Sequence, residues 1–261
     1  MELIQFVQQN LVFALLVFAR VSGIFSTAPM FSSRNVPARI RVLSAMAITL
    51  VAIPALAQKA GAPVTDSAAS YILLVFGEFI VGACIGLVMA VFFAIIQVAG
   101  QMLDTQVGFG IVHVVDPQSG TQMPLLGNFL QMLFVLVFFA ADLHHLFLQA
   151  LLESFDLMPV ARAAFQPQMA EFVLGLFTNM FLTAFKLAMP MIITTLLVDV
   201  SMGMLARTMP QMNVFVVGIP LKLAVGVFML SVFLPTYIFF LKVAYGEVSE
   251  NIYKLLSIFA N

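Results

Sequence analysis

FIVGACIGLVMAVFFAIIQVAGQML, residues 79–103, indicates the fold class of this chain, because it contains no Asp, Glu, Lys or Arg. A helix needs about 20 apolar residues to cross the hydrocarbon core of a bilayer. The whole chain agrees, since 62% of its 261 residues are hydrophobic and 9% are charged. Soluble domains have roughly 45–50% apolar and about 25% charged residues. A mean hydropathy of +1.10 excludes an ordinary soluble fold. A net charge of −1 gives no indication of nucleic-acid binding.

Five further hydrophobic segments lie around this stretch. The six are predicted at residues 3–25, 42–58, 70–103, 122–150, 170–200 and 213–243. Two of them, 70–103 and 213–243, are too long for a perpendicular span and must tilt, kink or leave the membrane. Pro190, Pro220 and Pro235 are predicted to kink the last two segments. We therefore expect an all-α, integral membrane-type protein of about six long, kinked hydrophobic helices arranged as hairpins.

Small residues form a row on the third segment, at Gly82, Gly86 and Ala90. Such a row lets another helix approach closely. The membrane orientation stays open, because six spans would divide the short-loop charges equally. One side would hold Arg34, Arg39, Arg41 and Arg207, and the other Lys59, Arg162, Lys242 and Lys254. The balance suggests that the inserted topology is not the final state, or that partners help to set it.

Charged residues inside hydrophobic segments are candidate functional sites, because their burial costs several kcal/mol unless they are paired. The candidates are Glu78, Lys186 and Asp199, and Asp142 and Lys222 lie in or near similar segments. Lys186 is open to two interpretations, a coupling residue of an ion or proton carrier and a structural ion pair with an acid such as Glu78 or Asp199. The sequence shows no cluster of mid-segment carboxylates, which favours the structural pair.

Neither catalysis nor metal binding has support in the sequence. The adjacent His144 and His145 should point about 100° apart on a helix, and no Cys, Glu or further His stands at ligand spacing. There is no G-x-S-x-G, P-loop or HExxH motif and no nucleophile with paired acids. The single cysteine, Cys84, lies in an apolar run and is expected to fill the core. We expect no enzyme activity, no cofactor and no metal.

The connection VGFGIVHVVDPQSGTQMP, residues 107–124, is unusual because it begins with six apolar or glycine residues. Gly108 and Gly110 permit dihedral angles that other residues avoid, and Pro117 restricts the residue before it, Asp116. An apolar connection of this kind suits a buried position. The alternative is that residues 107–115 extend the third helix or form a short strand.

ARTMPQMNVFVVGIPLK, residues 206–222, closely resembles a signature of the FliR family, the flagellar member of the type III secretion export apparatus. Two other stretches agree in family order. They are STAPMFSSRNVPARIRV, residues 26–42, and the connection with Gly108, Asp116-Pro117 and Met123-Pro124. The resemblance covers essentially the whole chain, and residues 206–218 are more similar to the flagellar branch than to the injectisome relatives. The motif residues at the expected hairpin tip are Arg207, Pro210, Gln211, Asn213 and Phe215.

The resemblance implies a core component of the flagellar export gate. FliR proteins form a helical ring with FliP and FliQ, with FlhB packed outside, and unfolded flagellar subunits leave the cytoplasm through that ring. It implies a FliP-like part at residues 1–164, which includes a plug loop at 104–124, and a FliQ-like helical hairpin at 165–261. The expected location is the bacterial inner membrane at the flagellar basal body, with much of the fold lifted towards the periplasm.

The resemblance also implies that the loop after the third segment enters the export channel and closes it. The plug residues would be Gly108, Phe109, Gly110, Ile111, Val114, Asp116 and Pro117. The family often has aromatic residues where this chain has Ile111 and Val114. The alternative function is a secondary transporter of a small solute or ion, which would need internal repeats and broken helices at the midplane. The breaks at Pro190, Pro220 and Pro235 fall in only one half of the chain, which argues against an inverted repeat.

Overall fold

The computed structural model describes residues 11–32, 36–57, 67–109, 124–162, 166–211 and 213–260. Helices occupy almost all of these ranges, and no strand occurs within them. In chain order they are α1 Leu11–Thr27, α2 Pro29–Ser32, α3 Ala38–Ala57, α4 Ala68–Val107, α5 Leu125–Ala140, α6 Leu143–Leu157, α7 Gln168–Thr208 and α8 Val214–Ala260. The expected all-α class is confirmed.

Four of these helices are long and apolar enough to cross a membrane individually: α3, α4, α7 and the part of α8 between Val216 and Phe240. The predicted segment 122–150 is not continuous, because α5 and α6 are separated at Ala141–Asp142. Asp142 has a φ of 55° there, a left-handed conformation that Asp tolerates better than most residues. The two helices reach the length of a span only together, and α1 is a shorter apolar helix.

The internal prolines do not end the helices that contain them. α7 continues through Pro190, and α8 continues through Pro220 and Pro235. Each proline removes one backbone hydrogen bond, and helices in apolar surroundings tolerate this where neighbouring groups satisfy the freed carbonyl. α7 and α8 are therefore long continuous helices despite these prolines.

The chain divides by its contacts into two compact units. Unit 1 comprises Met1–Phe92, Asp142–Leu176 and Gly246–Asn261, and unit 2 comprises Phe93–Ala141 and Phe177–Tyr245. Both units draw on the early and the late parts of the sequence. The division at residues 164 and 165 rests on family likeness and stays a prediction.

In unit 1, α1 lies along the first half of α4. A Cβ atom at Gly82 would overlap the carbonyl group of Arg20, and one at Gly86 would overlap the Thr27 hydroxyl. The Tyr71 hydroxyl donates to the carbonyl of Val12 at 2.8 Å, so the two helices run in the same direction. The predicted close approach along the row of small residues is confirmed for Gly82 and Gly86.

The described residues of unit 2 form two antiparallel helix pairs. In the first, the end of α4 packs on α5, with the Phe93 and Phe134 rings edge to face at 4.5 Å. In the second, Lys222 of α8 contacts Asp199 of α7 at 2.8 Å. Further along that pair, the Tyr237 hydroxyl donates to the carbonyl of Leu187 at 3.0 Å. The connections between these paired helices, around residues 108–124 and 209–213, are the two that the sequence singled out.

Candidate functional site

A buried ion pair joins α1 to α4 in unit 1. Arg20 on α1 donates from Nε to Oε2 of Glu78 on α4 at 2.6 Å, and their side chains are 0% and 1% exposed. Glu78 is one of the predicted buried charges. Arg20 was not singled out in the sequence, although it lies within the first hydrophobic segment. The available sequence signal was an arginine inside one apolar segment and an acid inside another.

The same guanidinium also binds the C-terminal end of α6. Nη1 donates to the carbonyls of Ser154 and Met158, both at 3.0 Å, and the group lies over the Phe155 ring at 4.4 Å from its centre. The last carbonyls of a helix have no partner within it, and they carry a partial negative charge. Arg20 therefore joins α1 to α6 as well as to α4.

Glu78 completes this network through its other carboxylate oxygen. Oε1 accepts the backbone N–H of Ala161 at 2.7 Å. Ala161 has a φ of 66°, a conformation that costs a non-glycine residue about 1–3 kcal/mol and persists only where its surroundings hold it. The network thus fixes α1, α4, α6 and the connection after α6 in one arrangement. Both charges are bound by several groups, which suits a structural role.

The other two charge candidates lie on the surface of this chain. Asp199 pairs with Lys222 and is 45% exposed. Lys186 is exposed, and no ion pair involves it within the described part of the chain. The expected pairing of Lys186 with Glu78 or Asp199 was therefore wrong within this chain. Glu78 is bound by Arg20, and Asp199 lies on the same helix as Lys186, about 20 Å further along its axis.

A second buried carboxylate lies next to the loop with the predicted plug. Asp104, in the last turn of α4, accepts the backbone N–H groups of Leu126 and Gly127 at 2.8 and 2.9 Å. Asp104 is 5% exposed. These N–H groups belong to the first turn of α5, where helix donors have no partner within the helix. Asp104 is the first residue of the predicted loop region, and no sequence pattern indicated this role.

The predicted plug lies mostly outside the described residues. α4 ends at Val107, and Gly108 follows with a φ of 101°, which is a common way for a helix to stop. The structure describes Gly108 and Phe109 as a turn, so α4 does not continue through these two residues. Gly110, Ile111, Val114, Asp116 and Pro117 are outside the described ranges. The plug itself stays a prediction.

The family motif forms the connection between α7 and α8. Arg207 is the basic residue in the last turn of α7, and Pro210 and Gln211 lie exposed in the turn beyond it. Asn213 accepts the N–H of Val216 through Oδ1 at 3.4 Å, at the start of α8. Phe215 lies in the first turn of α8. The motif residues thus stop one helix, turn the chain and start the next.

Three potential metal ligands lie closer together than their sequence positions suggested. Ligand atoms of Asp142, His144 and His145 are within 4.8 Å of one another, and the two imidazole rings are 4.2 Å apart. These residues begin α6, and the N-terminal end of a helix favours anions over cations. The geometry alone therefore does not make this group a metal site.

Comparison with known proteins gives a consistent result. The family model of bacterial export proteins, family 1, matches residues 11–248. The flagellar biosynthetic protein FliR of Bacillus subtilis (strain 168) is 36% identical over 247 residues, which cover 94% of each chain. FliR of Pectobacterium carotovorum is 30% identical over 92% of this chain and 91% of its own. FliR of Escherichia coli (strain K12) is 29% identical over 91% and 90%.

The match extends over the apolar helices, both antiparallel pairs and the turn with the motif residues. Long apolar helices and a flagellar relationship over nearly the whole length indicate a membrane-embedded component of the flagellar export apparatus. The chain belongs to the bacterial export proteins, family 1, and within them to the flagellar FliR proteins.

Proposed function

We propose that this chain forms, together with FliP and FliQ, the channel through which unfolded flagellar subunits are exported, with FlhB on the outside of the assembly. In this proposal the α7–α8 pair corresponds to a FliQ-like hairpin and the part before residue 165 to a FliP-like fold. The assembly stands in the inner membrane at the basal body, with much of it raised towards the periplasm. The chain acts as a structural part of the gate.

The observation that carries the proposal is the large apolar surface of the α7–α8 pair. Only 11% of the apolar stretch of α8 is buried within the chain, and only 28% of that of α7. Side chains such as Leu174, Phe181, Leu196, Phe228 and Phe239 are each more than half exposed. Surfaces of this kind need lipid or protein neighbours.

The position of Lys186 supports protein rather than lipid neighbours along α7. It is exposed between Leu182 and Met189, which are 52% and 37% exposed. An uncovered lysine near the centre of a helix in lipid costs about 2.5–3.5 kcal/mol or more. A subunit that presents an acid or backbone carbonyls would remove that cost. The expected structural ion pair of Lys186 is therefore proposed here as a contact with another subunit.

Co-purification tests the assembly. The tagged chain is expressed with the FliP and FliQ proteins of the same bacterium, purified in mild detergent, and its partners are quantified. Both should be recovered in fixed ratio, and Lys186→Met should lower their yield. Lys254→Met is the matched control, since Lys254 forms an exposed pair with Glu250 and should leave the yield unchanged. A well-folded, active chain without partners would indicate the secondary transporter instead.

The connection after α4 is proposed to close the channel. Phe109, Ile111 and Val114 would exclude water and ions in the way of a hydrophobic constriction. Replacing all three by alanine should leave the assembly intact and make cells permeable to ions, measured as membrane conductance or as growth under ionic stress. Unchanged permeability at a normal level of assembled complex would refute the plug and leave the export assignment in place.

A further inference from the structure

An apolar groove lies between α3 and α6, two helices of unit 1. It encloses about 360 Å³ and is open on one side, where Val51 is 81% exposed. Its lining consists only of alanine, valine, leucine and isoleucine side chains, among them Ala47, Ile48 and Ala55 of α3 and Leu148 and Leu152 of α6. The alanines keep the groove narrow. An exposed apolar hollow of this kind needs an apolar occupant.

The groove lies at the depth of lipid acyl chains along α3. This helix is long and apolar enough to cross a membrane over Ala38–Leu56, and the groove follows its second half, from Ala47 to Ala55. Ala55 is roughly 20 Å along the helix axis from Arg41, near the start of α3. One leaflet contributes about half of the roughly 30 Å hydrocarbon core. A molecule anchored at Arg41 could therefore follow the groove through one leaflet.

Arg41 lies on the groove side of α3, because it precedes Ile48 by about two turns of roughly 3.6 residues each. Its guanidinium carries five N–H donors, and Nη2 makes one long hydrogen bond to the carbonyl of Val36, at 3.4 Å. Within the described ranges no acid pairs with Arg41, and its Nε has no hydrogen-bond partner. An arginine with so few partners is well suited to bind a phosphate group.

We propose that Arg41 and the α3–α6 groove form a binding site for one molecule of an anionic phospholipid. The phosphate contacts the Arg41 guanidinium, and one acyl chain lies in the groove. A phospholipid supplies both an anion at the start of α3 and a narrow hydrocarbon chain further along it. An apolar helix of another subunit would cover the groove and leave the guanidinium without an anion.

The ligand is tested on the full chain, purified from membranes in mild detergent with any subunits that it retains. Native mass spectrometry counts the phosphatidylglycerol molecules bound per chain, and a titration gives the affinity. Phosphatidylglycerol should occupy one saturable site. Glycerol 3-phosphate lacks the acyl chains and diacylglycerol lacks the phosphate, so each should bind at least about tenfold more weakly. Equal binding of glycerol 3-phosphate would show a site for free phosphate only and would overturn the proposal.

Two variants test the two halves of the site separately. Arg41→Gln removes the cation and should weaken phosphatidylglycerol binding about tenfold, as expected for the loss of a charge-assisted hydrogen bond. Arg39→Gln is its matched control, because Arg39 is exposed and lies about 200° around α3 from Arg41. Ala55→Phe fills the groove from an exposed position and should abolish binding with Arg41 unchanged. Met46→Phe is the control for added bulk, since Met46 is 46% exposed on the opposite face of α3.

Each result supports or refutes the site. An equal loss of affinity in Arg39→Gln and Arg41→Gln would indicate attraction by surface charge alone and would refute it. Unchanged binding in Ala55→Phe would place the acyl chain elsewhere, which also refutes it. A parent chain that binds no phosphatidylglycerol, and an Ala55→Phe variant that loses a co-purifying subunit, would show that a protein covers the groove instead. If Arg41→Gln does not fold, the comparison of Ala55→Phe with Met46→Phe still decides.

Discussion

α4 and α8 are both long, apolar helices, but they differ in how much of their apolar surface the chain itself buries. In α4, 61% of the apolar stretch is buried, whereas in α8 only 11% is. The difference follows from small residues and well-placed charges: α4 has Gly82 against α1, and Glu78 and Asp104 bind neighbouring helices. Hydropathy indicates that a helix avoids water, and the residues that allow close approach decide whether it contacts its own chain.

The largest effect is expected from the charges that bind α4 in unit 1. Arg20→Met leaves Glu78 buried without its cation and frees the carbonyls of Ser154 and Met158. Removing one partner of a buried ion pair costs roughly 3–5 kcal/mol. The midpoint of thermal unfolding, measured on the assembled complex in detergent, should fall sharply, as should the amount of complex in membranes.

Glu78→Gln should have an effect of similar size, because Ala161 keeps an acceptor but Arg20 loses its counter-ion. The double variant Arg20→Met with Glu78→Met should cost less than the two single effects added, since no buried charge is left unpaired. Strictly additive effects would mean that the two side chains do not act as a pair.

Glycine-to-alanine substitutions are expected to change the stability by a medium amount, with opposite signs on α4 and on α7. Gly82→Ala forces α4 away from α1, because the methyl group meets the Arg20 carbonyl, and overpacking of this kind costs about 1–3 kcal/mol. Gly203→Ala on α7 meets nothing within 4 Å and should stabilise the helix by up to about 1 kcal/mol. Unfolding of both variants beside the parent measures the difference. Equal shifts would contradict the assigned packing of α1 on α4.

The sequence predicted the all-α class and the close approach at Gly82, because apolar runs and small residues carry those signals directly. It did not indicate Arg20, since an arginine near the end of an apolar segment also occurs where its head reaches the polar interface. Its burial depends on Glu78 and on the end of α6, which are distant in the sequence.

The role of Asp104 was equally difficult to infer, because a helix normally takes its N-terminal cap from the residue just before it. Here the cap comes from the preceding helix. Lys186 was placed correctly in an apolar stretch, but the partner inferred for it was wrong, since the sequence does not give the face of α7 on which it lies. Local sequence patterns therefore predicted the helices. The charge pairs could be assigned only once the packing of those helices was known.

The smallest effect is expected from Lys222→Met, which applies the change made at Arg20 to the exposed α7–α8 pair. Lys222 and Asp199 are 20% and 45% exposed, so water or lipid head groups can replace the lost partner. Pairs of this kind contribute about 0–1 kcal/mol. In the chain with its partners, the unfolding midpoint should move by a small fraction of the shift of Arg20→Met. A shift as large as that of Arg20→Met would mean that a neighbouring subunit buries the Lys222–Asp199 pair. Testing the same variant in the chain without the proposed partners FliP and FliQ distinguishes the two, because burial by a partner predicts a large effect only in the complex.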